Sequence, residues 1–167
     1  MSVKVKDIDR GFKRIMKELE NASMDAHIDI GYFGEKKTAD GEYTLVGIAA
    51  VQEFGTKPGT VPKIPERSFL RSTADARVSR WGRATEEAIG DMIDGKTDLV
   101  GALAAVGEEC VGDVQEKITR LRTPPNAPST IARKGTSNPL IHTGAMKNYC
   151  RARIVLAGTS KRIVEKE

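Results

Sequence analysis

The chain is poor in aromatic residues, histidine and cysteine, and each shortage removes a class of reading. Aromatics make up 5% of its 167 residues, too few to interleave with basic residues as a stacking platform for single-stranded nucleic acid. The histidines, His27 and His142, stand far apart in sequence, and no GxGxxG, Walker, HExxH or GxSxG pattern occurs. Cys110 and Cys150 lack CxxC spacing and occupy apolar-periodic positions. Two buried, reduced thiols are therefore expected, in preference to a disulfide, a metal centre or a Cys–His nucleophile. No apolar run reaches membrane-spanning length and residues 1–20 carry no signal-peptide core, so a soluble chain made inside the cell, with no membrane partner, is expected. Together these absences lead to an expectation of no catalytic residue, no cofactor and no metal.

Charge of one sign is also missing over a long stretch. Lys117–Val164 holds ten Lys/Arg and no carboxylate, whereas residues 1–116 hold 16 Lys/Arg against 21 Asp/Glu. A bipolar chain suits head-to-tail assembly, basic part against acidic part. It equally suits a basic surface facing nucleic acid, and the polarity disappears if the two halves intermix on folding.

What is present reads as one α+β domain over residues 1–167, since 39% hydrophobic and 30% charged residues are ordinary values at a length that buries a core. Asp7 is placed to cap a first helix with Ile8, Phe12, Ile15 and Leu19 on its packing face and Arg10, Lys13, Arg14, Lys17 and Glu18 on a solvated one. Residues 27–33 alternate as a half-buried strand, with His27 and Asp29 on the polar side. A polar turn over 34–44 carries an Asp40-Gly41 hairpin signal, and a short helix over Leu45–Phe54 stops at Gly55. A helix starting around Glu66–Ser68 and running to about Asp94 is followed by one capped by Asp98. The latter carries Leu99, Leu103, Val106, Cys110, Val114, Ile118 and Leu121 on one stripe, with Asp113 off it. The pair is expected to form an antiparallel hairpin. Cys150–Leu156 alternates again and is matched to pair with residues 28–33 in a small antiparallel sheet.

Two proline-rich arms interrupt this order, at about 55–68 and about 122–139. Proline fixes φ and removes donors, so both are expected to be extended and without regular structure. Long irregular segments in a compact domain are usually functional or disordered, and pre-extended ones lose less entropy on docking. In the second arm and the strand after it, Arg120, Arg122, Arg133, Lys134, Arg151 and Arg153 are candidates for non-specific contact with DNA phosphates or a DNA-filled lumen.

The segments Ala49–Thr56 (AAVQEFGT), Ile64–Arg71 (IPERSFLR) and Asn138–Tyr149 (NPLIHTGAMKNY), in this order across most of the chain, resemble the tail-completion or neck proteins of tailed bacteriophages, the group that includes Mu-like virion-morphogenesis proteins. The sequence departs from that pattern at Glu66 and Ser68, where small and proline residues are usual, and at His142, where aspartate is frequent. The resemblance implies a small sheet packed by helices and a homo-oligomeric ring between portal or connector proteins and tail-tube or terminator proteins. It implies a structural virion protein made in the host cytoplasm and located at the head–tail neck. A DNA-binding accessory module using the basic C-terminal third is the alternative. Candidate interface residues are Phe54, Gly55, Ile64, Pro65, Arg67, Phe69, Leu70, Pro139, Leu140, Thr143 and Met146; for Phe69 and Leu70, packing within the protomer is an equal expectation.

Overall fold

The computed structural model describes residues 11–23, 26–38 and 41–156. Asp7, Ile8 and Arg10 of the expected first helix, Asp40 of the expected turn and the 160–167 tail lie outside those residues. Along the described chain run α1 (Phe12–Ser23), β1 (His27–Gly31), α2 (Leu45–Phe54), α3 (Arg71–Ile93), α4 (Leu99–Arg120), α5 (Pro128–Lys134), α6 (Ala145–Asn148) and β2 (Arg151–Val155). The class is α+β: six helices and a two-stranded antiparallel sheet packed against them. Among the described residues no helix is long and apolar enough to cross a membrane.

The α4 helix is the spine. Asp98 caps it, its Oδ1 accepting from Gly101 N at 2.8 Å and satisfying one of the first-turn donors. Its stripe then buries Leu99, Val106, Cys110, Val114 and Ile118, against α3, both strands, α6 and α1. The α3 helix runs back along α4 without a break. Arg77 meets Glu116 at 3.5 Å and Arg80 meets Asp113 at 3.1 Å, so the pairing numbers fall on one helix as they rise on the other and the hairpin is antiparallel. Asp113, expected off the stripe, is buried, with Trp81 Nε1 donating to its Oδ2 at 2.8 Å. A carboxylate is tolerated there because the indole N–H and two arginines supply its partners.

The two expected strands do pair, over His27–Gly31 and Arg151–Val155, shorter than the expected 27–33 and 150–156, with Ile28 opposite Ile154, Ile30 opposite Ala152 and Asp29 opposite Arg153. Alternation puts the apolar pairs toward α4 and the Asp29–Arg153 pair outward, where Arg153 also stacks 4.3 Å from the Phe33 ring centroid. Two strands alone are barely stable in water; α4 makes this sheet viable by approaching it closely. A Cβ built on Gly107 would lie 2.7 Å from Ala152 Cβ, so glycine is what permits that contact.

Two further expectations need correction. The face of α1 expected to be solvated does the anchoring: Arg14 donates to Met92 O at 3.0 Å and Ile93 O at 2.9 Å, closing off the C-terminus of α3, and Glu18 accepts from Leu99 N at 3.3 Å. The expected packing face is largely open, with Phe12 68% exposed. Charged groups win here because helix ends offer unpaired carbonyls and N–H groups that a side chain can satisfy. The second correction is α5, a regular helix inside the second arm. Pro128 opens it at a position where the missing N–H is harmless.

Replacing Gly107 by valine forces β2 away from α4. Overpacking of about 1–3 kcal/mol exceeds the helix-propensity gain of under about 1 kcal/mol, so urea unfolding of Gly107→Val should show a net loss of stability at unchanged m-value.

Candidate functional site

The first arm is built around a buried carboxylate. The apolar run of α2 ends Gln52-Glu53-Phe54, and Glu53 is only 2% exposed. The α3 helix has no side-chain cap of its own at Leu70; Glu53 supplies one from a different helix. Its carboxylate accepts from Phe69 N at 2.7 Å, Leu70 N at 2.9 Å and Arg71 N at 3.1 Å, and from Ser68 Oγ at 2.7 Å and Arg71 Nε at 3.0 Å. An anion at a helix N-terminus meets both its free donors and the positive end of its dipole. That is why α3 starts at Arg71 and not at the expected 66–68: residues 66–68 stay out of regular structure and the chain bends at 69–70, with Leu70 at φ −77°, ψ −62°, to present these donors. Burial alone would raise the Glu53 pKa, but the hydrogen bonds from Leu70, Phe69, Ser68 and Arg71 outweigh it and hold the carboxyl below its ordinary value.

The neighbours of Glu53 complete a clasp. Arg67 N donates to Gln52 O at 2.8 Å. Arg71 lies over the Phe54 ring, 4.7 Å from its centroid. Gly55 turns the chain at φ 72°, ψ −178°, and a Cβ there would sit 2.8 Å from Glu66 N and 2.9 Å from Ile64 O; both the conformation and the space require glycine. Thr56 and Ile64 then exchange bonds, Thr56 N to Ile64 O at 2.9 Å and Ile64 N to Thr56 Oγ1 at 2.9 Å. The root of the arm is thus locked, and residues 57–63 stand clear of the body, all exposed, with Val61 at 91%. The two residues of the arm that depart from the neck-protein pattern both have partners: Ser68 donates to Glu53, and Glu66 pairs with Arg71 at 2.7 Å.

The second arm does not stand clear. Arg67, itself buried, donates to Pro124 O at 2.8 Å, Pro125 O at 2.9 Å, Asn126 Oδ1 at 3.2 Å and Gln52 Oε1 at 2.8 Å. Its other end is held by buried Asn138, which donates to Thr119 O at 3.0 Å at the end of α4 and accepts from Leu140 N at 2.9 Å and Ile141 N at 3.1 Å. Lys134 Nζ donates to Asn138 O and Pro139 O, each at 3.2 Å, and burial, with Arg67 and Arg133 nearby, lowers its pKa.

Of the residues expected at an interface, Arg67, Phe69, Pro139, Leu140 and Met146 are buried in the chain's own body. Phe69 is 0% exposed and meets Tyr32 edge-on at 6.2 Å between ring centroids. Gly55, Ile64, Pro65 and Leu70 are half-buried, and Phe54 and Thr143 are exposed. Among the basic candidates, Arg120 pairs with Glu116 at 2.8 Å and Arg153 with Asp29, Arg122 bonds backbone carbonyls at 119 and 121, and Arg151 lies over Tyr149. Arg133 is exposed on α5. Both cysteines are buried, and burial pushes their pKa up, Cys110 to about 11 and Cys150 to about 12; such thiols stay protonated at neutral pH and make poor nucleophiles. Both histidines are exposed, and no cluster of three or more metal-ligating side chains occurs among the described residues.

Glu53→Ala should lower stability by about 2–4 kcal/mol, since it strips a buried set of donors of their shared acceptor. Because the folded-state pKa lies below the unfolded one, the stability from ionisation is complete above the ordinary glutamate value of 4.5 and lost as pH falls through the folded value. Acid titration of stability should show this component in the wild type and not in Glu53→Gln. Arg67→Lys keeps the charge but not the fork; limited proteolysis should then cut within 122–139, where the wild type resists. Set against known proteins, the chain matches no protein-family model, no curated protein and no solved structure.

Proposed function

We propose that this chain is a structural protein of a tailed-phage virion, one subunit of a ring at the head–tail junction that joins or completes the tail without performing catalysis. The observation that carries this reading is the clasp. The segments that resemble neck proteins, Ala49–Thr56 and Ile64–Arg71, meet each other and hold residues 57–63 away from the body. Glu53 and Arg67 serve the fold as cap of α3 and anchor of the second arm, and the same bonds fix the root of a loop presented outward, which suits it for docking. Val61 at the tip of the loop is 91% exposed, and an apolar group held out on a fixed root is available to a partner chain. The DNA-binding alternative is weakened by two of its six basic residues being paired with carboxylates in the folded chain.

Purified protein should form multimers by light scattering, alone or after addition of capsids or tails, and electron microscopy of labelled particles should place it at the neck. A chain that stays monomeric and never joins particles overturns the proposal. Steep salt-dependent affinity for duplex DNA without assembly would favour the accessory-module reading instead.

A further inference from the structure

The projecting loop has the shape and charge to fit a cleft on the same molecule that it cannot reach. The cleft, about 300 Å³, lies between α3 and α4. Ala84, Ala88, Ala102 and Val106 line it with small apolar groups, and Glu87 and Asp91 stand at its exposed rim. Residues 84–109, which form its walls, contain seven Asp/Glu and a single lysine. Lys96 neutralises Asp91 in part, at 2.7 Å, while Glu87 has no ion-pair partner among the described residues. The loop, residues 57–63 (KPGTVPK), carries two lysines and no acid, and between them the most exposed large apolar side chain described, Val61. A valine flanked by Pro62 and bracketed by two cations complements a floor of alanines beneath an acidic rim.

Distance forbids the intramolecular fit. The root of the loop is beside Arg71, at the start of α3. Ala84 is 13 residues further along that helix and Asp91 is 20, or about 20 and 30 Å at 1.5 Å per residue. The tip is only four residues beyond the Thr56–Ile64 root and reaches about 14 Å at most. Donor and acceptor therefore lie on opposite ends of the α3–α4 hairpin. A contact between such surfaces on two copies is heterologous, and repeated it builds a ring or a helix.

We infer that the 57–63 loop of one subunit inserts Val61 into the α3–α4 cleft of a second copy of this chain, with Lys57 and Lys63 facing Glu87 and Asp91 on its rim. The inference rests on the ring reading above and names the contact that forms it. Both surfaces lie within the first 116 residues, so the contact does not draw on the basic stretch Lys117–Val164.

Charge reversal tests it on the full chain. All four rim and loop residues are exposed, so Lys57→Glu/Lys63→Glu and Glu87→Lys/Asp91→Lys should unfold thermally as the wild type does. Each double variant should self-associate about tenfold or more weakly by sedimentation. Mixed one to one, the two should co-assemble in alternation, and a chain carrying all four reversals should self-assemble again; neither rescue is expected of a merely damaged fold. A wild type that assembles and is indifferent to both reversals overturns the inference and leaves the ring standing. Loss of assembly with the cleft reversal alone assigns the cleft to another segment of the second copy and likewise overturns it. A wild type that never associates, alone or with particles, removes the ring and this contact together.

Discussion

A carboxylate taken out of water and surrounded by five donors fixes this structure. Glu53 belongs to α2, and everything it binds belongs to the entry of α3. Desolvating the charge is expensive, and only the convergence of three backbone N–H groups, a hydroxyl and a guanidinium offsets that. The arrangement has little latitude. Removing one donor or shifting the chain by one residue leaves a buried charge under-satisfied, so the path from α2 through the loop to α3 is set by electrostatics as much as by packing. Phe69, placed by the same bonds, then closes the core with Ala49, Val114, Ile118 and Met146.

The second constraint is the end of α4. A helix leaves its last carbonyls unpaired, and Asn138 donates to two of them from a distant loop while turning its own chain into Leu140 and Ile141. The NPL segment is therefore a structural return. It brings the chain back from α5 to the core, buries Leu140 there, and aims α6 and β2 at the sheet. Arg67 meets the opposite end of the same excursion, so one buried arginine and one buried asparagine hold a segment that its prolines would otherwise leave extended.

The elements legible in the sequence were those whose signals are local. The Asp98 cap, the α4 stripe, the α2 stop at Gly55 and the alternation of both strands depend on neighbours a few residues away, and the structure has each of them. The α+β class follows from those elements alone. Glu53, Arg67 and Asp113 were not legible, because whether a charged residue is buried depends on partners 15 to 59 positions off. One signal was available for Glu53: a lone acid at the end of an apolar helix, followed by a helix whose own first residue, after Phe69-Leu70, offers no cap. The α5 helix was hidden by its composition, since proline weighs against a helix everywhere except at its first turn. In α1 the apolar periodicity was read as a packing face, yet helix ends competing for hydrogen bonds selected Arg14 and Glu18 instead.

The two arms share a root at Arg67, whose backbone N–H holds α2 and whose guanidinium holds Pro124 and Pro125. Tension on the 57–63 loop is therefore not absorbed locally. It passes through the Thr56–Ile64 bonds to the end of α2 on one side and to Arg67 on the other, and from Arg67 into the segment that α5 and Asn138 pin to α4. A pull at one corner of the subunit is thereby passed to the end of α2, the entry of α3 and the end of α4.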